Sequence, residues 1–345
     1  MAGDSNPSPD MAAQHAGNAV PRSSLHRCRP GGSMPRVGVI YNPRSHRNKG
    51  VHYEKPVEAN VITAGPKDKQ ALAQVLADFA RDDIDLLIVN GGDGTVRDVL
   101  TSGYSAFGND WPCMAVMPRG KTNALNVDLG APANWSVDGC IKAWQSGKRR
   151  MRVPMLVEKP GGQGAPLLGF VMGAGIFTTA TRVGQDAHKL GAFDSLAVGV
   201  TAGWGVLQAL FGSNRNIWRR GTPMRVWLGE KREELPHSRY GPLERRSLLF
   251  ASTLDRFPLG MQPFAERGGD IGLTVMDRPR RRLVAALPAV VAGMRPSWIE
   301  SAGFYQRATG RFELTIDDDY ILDGEAFSGG DLIVRKGPQI HFVAP

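Results

Sequence analysis

Residues 84–95 read IDLLIVNGGDGT, an almost wholly apolar run that is followed at once by a run rich in glycine. The apolar part, residues 84–89, is typical of a buried parallel strand. Glycine at a strand-to-helix junction lets the backbone approach a phosphate closely, and the first N–H groups of the helix then face the anion. We therefore predict an anion-binding loop made of Gly91, Gly92, Asp93, Gly94 and Thr95.

Strands and helices alternate on both sides of this run. Short β-branched or apolar runs predict strands at residues 36–41, 60–63 and 113–117. Apolar residues at helical spacing predict helices at residues 67–81 and 134–146. This alternation predicts a doubly wound, mostly parallel α/β sheet up to about residue 150.

The pattern changes beyond residue 150 to strands arranged in antiparallel-looking pairs. They fall at residues 152–158, 167–172, 224–228, 247–253, 271–276, 311–316, 332–334 and 340–343. Two helical insertions are predicted, at residues 191–211 and 279–294. We predict a disordered tail at residues 1–34, an α/β domain at 35–150 and a mostly antiparallel β-sandwich domain at 151–345.

The composition limits the function classes without choosing one. The 345 residues carry a net charge of +9, with a pI near 9.7, and this charge favours anionic partners. The basic residues are scattered and lack interleaved stacking aromatics, which argues against a nucleic-acid partner. Three cysteines without metal-ligand or disulfide spacing indicate a reducing compartment, and no segment is long enough to span a membrane.

Two further polar clusters follow strands of the predicted sheet. Asn42, Pro43 and Ser45 come after the first strand, and Gly120, Lys121, Thr122 and Asn123 come after the fourth. The second cluster is not a Walker A loop, because Ala115 stands where that motif needs glycine. Since the carboxyl ends of parallel strands meet at one edge of a sheet, we expect the three loops to form one pocket.

Carboxylates supply the remaining candidate chemistry. Asp93 cannot contact a bare phosphate favourably, so its position makes sense when Mg²⁺ lies between the two, or when it accepts hydrogen bonds from ribose or water. Asp323 and Glu325 flank Gly324 near the end of the chain. They are typical of a hairpin turn, or else of a general base that removes a proton from an attacking alcohol.

Together and in this order, the four elements resemble the diacylglycerol kinase catalytic family, which includes sphingosine and ceramide kinases and bacterial lipid kinases. The matching motifs are Asn42-Pro43 with Ser45, Gly91 to Thr95, Pro118-x-Gly120-x-x-Asn123, and Asp323-Gly324-Glu325. NAD kinases share the glycine motif alone, so an NAD kinase-like enzyme is one alternative. A non-catalytic module that binds a nucleotide or a nucleic acid is the other.

The resemblance implies a role for each matching residue. It implies that ATP is held by Asn42, Pro43, Ser45, Thr63, Gly91, Gly92, Asp93, Gly94, Thr95, Gly120, Lys121, Thr122 and Asn123. Glu325 is then the proton acceptor, with Asp323 and Asp93 arranging Mg²⁺ and water. At a second magnesium position of the family, this sequence has a single acid, Asp270. It also departs from the residues usual in the family at His46, Lys121 and Asp98.

The expected activity is therefore the transfer of a phosphoryl group from MgATP to a hydroxyl of diacylglycerol, ceramide or a sphingoid base. We expect a cytoplasmic protein that binds an anionic membrane surface peripherally. Arg278 and Arg280 to Arg282 precede an apolar run and form either a solvated helix end or a patch that contacts anionic lipid. The oligomeric state stays open, with a homodimer as one alternative.

Overall fold

The computed structural model describes residues 34–49, 60–179 and 220–345. Strands and helices alternate through its first part. The strands are β1 (Val37–Tyr41), β2 (Val61–Ala64), β3 (Leu86–Gly91) and β4 (Cys113–Pro118). The helices are α1 (Lys69–Arg81), α2 (Asp93–Phe107), α3 (Ala124–Leu129) and α4 (Val137–Gln145). The four strands are parallel, as their apolar composition predicted.

Alternate side chains of these strands face two different helical layers. Leu87 of β3 packs in one apolar cluster with Leu76 of α1. Its neighbour Leu86 packs in another cluster with Trp144 of α4. Because successive side chains of a strand point to opposite faces, the sheet is covered by helices on both sides. The predicted doubly wound arrangement is confirmed.

Side-chain caps determine where two of these helices begin. Asp68 accepts a hydrogen bond from the backbone N–H of Ala71 at 2.8 Å, and Ser136 accepts one from Gly139 at 3.1 Å. Each bond satisfies an amide that has no partner inside the helix.

The second part of the chain consists mostly of short antiparallel strands. They are β5 (Arg149–Arg152), β6 (Met155–Glu158), β7 (Leu167–Gly169), β8 (Val171–Gly175), β9 (Thr222–Leu228), β10 (Glu233–Glu234), β11 (Arg245–Arg246), β12 (Leu248–Ser252), β13 (Ile271–Met276), β14 (Phe304–Thr309), β15 (Arg311–Ile316), β16 (Tyr320–Leu322), β17 (Glu325–Phe327), β18 (Gly330–Lys336) and β19 (Ile340–Val343). Helix α5 (Arg281–Val291) lies between β13 and β14.

Two of the resulting sheets form a sandwich. One has the strand order β10-β9-β15-β18-β6-β7, with β11 also paired to β9. The other has the order β14-β13-β12-β8-β16-β17, and we call it the hairpin sheet because it ends in the β16–β17 hairpin. Val226 and Phe312 of the first sheet share one buried cluster with Met172 and Leu273 of the hairpin sheet. The predicted sandwich is confirmed.

The strand at residues 340–343, which we predicted as part of the second domain, pairs within the first sheet. The order of that sheet is β2-β1-β3-β4-β19-β5, so β19 lies between β4 and β5. It runs parallel to β4 and antiparallel to β5. The division of the chain at residue 150 stays a prediction, but the two parts share this sheet.

Other elements differ from the expected pattern in detail. The predicted strand at 167–172 is two strands, because β7 pairs with β6 in one sheet and β8 pairs with β12 in the other. The predicted helix at 279–294 is α5. The predicted helix at 191–211 lies outside the described residues, as does the predicted tail up to residue 33. Every helix in the described part of the chain is too short or too polar to cross a bilayer.

Candidate active site

The glycine motif forms the junction between β3 and α2. Gly91 ends the strand, and Gly92 caps the helix without a side chain to accept a hydrogen bond from its first turn. The loop after β4 packs directly against it. A Cβ atom added to Gly92 would lie 2.6 Å from Gly120 Cα, so the two backbones approach closer than any side chain would permit. Two of the three predicted loops are therefore in contact.

The loop after β1 joins the same cluster through hydrogen bonds. Asn42 Nδ2 donates to Thr95 Oγ1 at 2.8 Å, and Ser45 Oγ lies 3.4 Å from the same oxygen. Asn48 Nδ2 donates to Asn90 Oδ1 at 3.0 Å. The structure thus brings together the residues predicted after β1 and β3. Asn48 was not predicted, because nothing in its spacing separates it from an ordinary loop asparagine.

The loop after β4 is shaped by Asn123, whose backbone has a left-handed conformation with φ 51°. Its side-chain Oδ1 accepts a hydrogen bond from the Gly120 N–H at 2.8 Å, and its Nδ2 donates to the Gly120 carbonyl at 3.0 Å. Asparagine tolerates this conformation better than most residues. Lys121 and Thr122, at the tip of the same loop, are exposed.

Asp93 points at the amino end of α3. Its Oδ2 accepts a hydrogen bond from the Ala124 N–H at 3.0 Å, and its Oδ1 accepts one from the Leu125 N–H at 3.2 Å. Burial raises the pKa of Asp93, and these amide hydrogen bonds oppose the rise. In this structure the carboxylate therefore orients the loop after β4, a role that the sequence prediction did not include.

The other end of α3 is held by a buried carboxylate. Asp128 is fully buried and accepts hydrogen bonds from the N–H groups of Asp255 at 2.9 Å and Arg256 at 2.8 Å. It also forms an ion pair with Arg152 of β5. Since Asp255 and Arg256 follow β12, α3 is anchored to the β-sandwich as well as to Asp93.

A cleft of about 200 Å³ opens beside Asn42 and Thr95, at the carboxyl ends of β1 and β2. Cations from three positions line it: Arg44, Lys67 and Lys69. Two carboxylates also line it, Asp68 at the amino end of α1 and Asp98 of α2. On the neighbouring strand β2, Thr63 Oγ1 is buried without a hydrogen-bond partner among the described residues. The cleft therefore offers positive charge, hydroxyl groups and two carboxylates to a ligand.

The turn between β16 and β17 carries the other predicted carboxylates. Asp323 has φ 44°, and its carboxylate points inward, where Oδ2 accepts a hydrogen bond from the Phe170 N–H at 3.0 Å and Oδ1 one from the Val171 N–H at 2.9 Å. Burial raises the pKa of Asp323 to about 7, and the nearby charge of Asp93 adds to the rise. Asp323 and Asp93 are thus close enough to interact electrostatically.

Arg97 of α2 connects this turn to the glycine motif. Its guanidinium group donates to the Leu322 carbonyl at 3.2 Å, to Asp98 Oδ1 at 2.7 Å and to Glu325 Oε2. The Arg97 side chain is only 3% exposed, whereas that of Glu325 is 49% exposed. No described residue donates to Glu325 Oε1, so one oxygen of this carboxylate faces the solvent side of the site.

Sequence reasoning missed Arg97. Its one signal in the sequence is its spacing. Arg97 stands three residues before Leu100, and helical spacing places both residues on the buried face of α2. A charged side chain at such a position needs a partner of opposite charge. The sequence contains many carboxylates, and nothing in it identified Glu325 as that partner.

Asp270, predicted as a metal ligand, lies elsewhere. It precedes β13, and its Oδ1 is 3.2 Å from the ammonium group of Lys336. The described residues contain no group of three or more His, Cys, Asp or Glu side chains that could hold a metal ion. The metal-binding role of Asp270 stays a prediction.

Residues 36–155 match the diacylglycerol kinase catalytic domain family. The resemblance inferred from the motifs is confirmed for this part of the chain. The match includes the three loops and ends before the β16–β17 hairpin. A search of curated proteins found no match.

Solved structures resemble the chain over most of its length. A diacylglycerol kinase from Bacillus anthracis str. Sterne has a TM-score of 0.59 and 13% sequence identity, over 91% of this chain and 98% of that chain. Two further structures from the same organism have TM-scores of 0.57 and 0.58 at 14% identity, with the same coverage. At such low identity the likeness establishes the fold alone. This likeness in fold covers the sandwich as well as residues 36–155.

Proposed function

We propose that this protein is a lipid kinase that transfers the γ-phosphate of ATP to a hydroxyl group of a membrane lipid. The observation that carries the proposal is the contact of Arg97 with Glu325. It joins the helix of the glycine motif to the carboxylate predicted as proton acceptor. A nucleotide bound at the motif and an alcohol bound at Glu325 would then share one site.

The nucleotide side of the proposal rests on the three loops. Helix α2 begins at Gly92, which has no side chain to cap it, and helix amino ends favour phosphate groups. Arg44, Lys67 and Lys69 add positive charge beside them. The Thr63 hydroxyl, which has no hydrogen-bond partner among the described residues, would be a further contact for a ligand in this region. These features support ATP as the phosphoryl donor.

The residues present also fit a magnesium ion carried with the nucleotide. Mg²⁺ is usually bound by one or two carboxylates together with phosphates of the substrate, and it keeps several waters. Asp98 lines the cleft, and Asp93 lies at the amino end of the same helix. These two residues would hold the ion, which neutralises phosphate charge when bound.

The reaction is a direct displacement at the γ-phosphorus. The hydroxyl oxygen of the lipid bonds to phosphorus while the bond to the β,γ-bridging oxygen breaks, and ADP leaves. The hydroxyl proton passes to Oε1 of Glu325, the oxygen that accepts no hydrogen bond from a described residue. Arg97 holds the other oxygen in place, so the carboxylate is already oriented when the acceptor arrives.

An apolar surface beside the hairpin supports a lipid acceptor. Phe250 of β12 stacks between Phe177 and Phe264, each with a ring-centre separation of 5.2 Å. It shares a row of the hairpin sheet with Gly173 and Ile321, and Ile321 pairs with Ala326 next to Glu325. Diacylglycerol, ceramide and sphingoid bases all carry an alkyl chain that such a row could contact.

The proposal is tested by Glu325→Gln, assayed with labelled ATP, Mg²⁺ and a panel of lipids. We expect turnover to fall by about 100-fold or more, as for the loss of a general base, with ATP affinity unchanged. The matched control is Glu234→Gln, because the Glu234 side chain is also 49% exposed and also paired with an arginine. Phosphorylation of NAD in place of every lipid, or equal activity of both variants, would refute the proposal.

A further inference from the structure

Five arginines surround an open cavity of about 480 Å³ on the β-sandwich, far along the chain from the three nucleotide loops. They come from two short segments, and together with Tyr240 we call them the arginine surface: Arg239, Arg278, Arg280, Arg281 and Arg282. No carboxylate is present in the lining of this cavity. Within the described part of the chain, no salt bridge involves Arg239, Arg280 or Arg282.

A buried carboxylate holds the two segments together. Asp277, which precedes Arg278, is fully buried and accepts hydrogen bonds from the Ser238 N–H at 2.8 Å and from Arg246 at 2.7 Å. The segments also touch directly, since a Cβ atom added to Gly241 would lie 2.9 Å from Arg278 Cβ. The spacing of the positive charges is thus fixed by the fold.

Aromatic rings support three of the guanidinium groups. Arg280 lies over the Tyr240 ring, with its guanidinium carbon 4.0 Å from the ring centre, and Arg282 lies 4.1 Å over the Trp298 ring. Arg239 donates a hydrogen bond to the Tyr240 hydroxyl at 3.0 Å. This hydrogen bond and the positive charges of Arg239 and Arg280 lower the pKa of Tyr240. The surface therefore carries a concentrated positive potential.

We propose that the arginine surface docks the protein on the anionic headgroups of a lipid bilayer. Arginine binds phosphate through several N–H groups, and each basic residue near an anionic membrane adds to the affinity. An exposed apolar side chain lies close in sequence to this surface: Leu243, two residues after Gly241, is 73% exposed. Clustered arginines beside an exposed leucine are typical of a surface that rests at a membrane interface.

The position of the arginine surface relative to Glu325 suits the proposed function. The biological role of membrane docking rests on that function. Arg278 follows β13, and four inter-strand steps of the hairpin sheet separate β13 from Glu325 on β17. At the usual strand spacing this is about 20 Å. A bilayer held at the arginine surface could therefore present a lipid headgroup to the hairpin.

The test is co-sedimentation of the whole protein with vesicles. One set contains phosphatidylcholine alone and the other about one third phosphatidylglycerol. We expect binding to the anionic set only, weakened at about 0.5 M salt because the charges are screened. Arg280→Gln with Arg282→Gln should weaken it by about 10- to 30-fold. The control, Arg81→Gln with Arg225→Gln, removes the same charge from side chains that are 72% and 54% exposed. It should leave vesicle binding unchanged.

A kinase assay on the same variants separates this inference from the proposed function. In neutral detergent micelles, Arg280→Gln with Arg282→Gln should phosphorylate lipid at the wild-type rate, and on anionic vesicles more slowly. An inactive wild-type protein that still binds anionic vesicles through these arginines would refute the kinase proposal alone. Equal vesicle binding by both double variants would overturn the docking inference. Tighter binding of single-stranded RNA to the arginine surface than of vesicles with equal phosphate content would also overturn the docking inference.

Discussion

Arg97 is a buried cation whose charge is neutralised by carboxylates from both parts of the chain. Asp98 belongs to its own helix, whereas Glu325 and the Leu322 carbonyl belong to the hairpin. A guanidinium group removed from water is tolerated only when such partners replace its hydration. Arg97 therefore positions the hairpin, and with it the proposed base, relative to the nucleotide loops.

Replacing Arg97 with Met should separate these two roles. We expect a loss of about 1–3 kcal/mol in the free energy of unfolding, because the buried Leu322 carbonyl loses the hydrogen bond from Arg97. We also expect kcat to fall more than KM for ATP rises, since the nucleotide loops remain. Urea unfolding and steady-state kinetics measure the two effects. Arg97→Lys, which restores the charge, should recover part of the stability; wild-type kcat in Arg97→Met would show that the hairpin is positioned without it.

Asp323 should make the stability of the free protein depend on pH. Its pKa is about 7 in the folded protein against 3.8 as the reference value, so the folded state binds the proton more tightly. The stability contributed by the protonated carboxyl is complete below about pH 4 and is lost as the pH rises through 7. We expect Asp323→Asn to flatten the fall in Tm between pH 5.5 and pH 8, as measured by calorimetry.

The control for this measurement is Asp138→Asn, because Asp138 lies on α4 and its side chain is 64% exposed. It should keep the wild-type pH profile. Parallel Tm profiles for wild type and Asp323→Asn would mean that the carboxyl is already ionised in the free protein.

At the scale of elements, the site depends on two loops whose backbones touch at Gly92 and Gly120. Gly92→Ala would place its Cβ 2.6 Å from Gly120 Cα, and a backbone atom cannot rotate away as a side chain does. We expect a loss of about 1–3 kcal/mol of stability, together with a loss of ATP binding as the loops separate. Urea unfolding and titration calorimetry with ATP would measure both.

Gly65→Ala is the matched control for this substitution. Gly65 follows β2 near the same cleft, but an added Cβ would meet its nearest atom at 3.7 Å, an ordinary contact. The free energy of unfolding of Gly65→Ala should differ from that of the wild type by less than about 0.5 kcal/mol. Equal losses in the two variants would mean that the close approach of the loops is unimportant.

The elements also show how far the sequence predicts the site. The loops after β1, β3 and β4 could be placed together because parallel strands end at one edge, and the motifs stand at those ends. The orientation of Asp93 could not be predicted, because it depends on amides of Ala124 and Leu125, some thirty residues further along the chain. A carboxylate in a glycine loop has the same sequence signature whether it faces a metal or a helix.

For the molecule as a whole, the sequence predicted each layer but not how the layers are joined. The residues of β19 form a short apolar strand that fits either part of the chain equally well. Its true place, between β4 and β5, is fixed by pairing across distant segments. Such long-range pairing leaves no local pattern, which is also why the ion pair of Arg97 with Glu325 was not foreseen.

Phe342 of β19 should therefore matter for the nucleotide site. It is fully buried in a cluster with Leu87 and Val116, residues of the first sheet. Phe342→Ala should cost about 3–5 kcal/mol and weaken ATP binding, as followed by urea unfolding and calorimetry. His341→Ala, at the adjacent and partly exposed position, should have a much smaller effect. If Phe342→Ala affected only the sandwich, the first sheet would be stable without β19.

The placement of β19 has a consequence for biosynthesis. Strands β1 to β4 are synthesised early, but β4 has no neighbour on one side until β19, which ends at Val343, has left the ribosome. During that interval an unpaired strand edge is open to other nascent chains, and such edges promote aggregation. Premature termination anywhere in the sandwich should therefore yield an insoluble fragment in place of a free-standing nucleotide-binding unit.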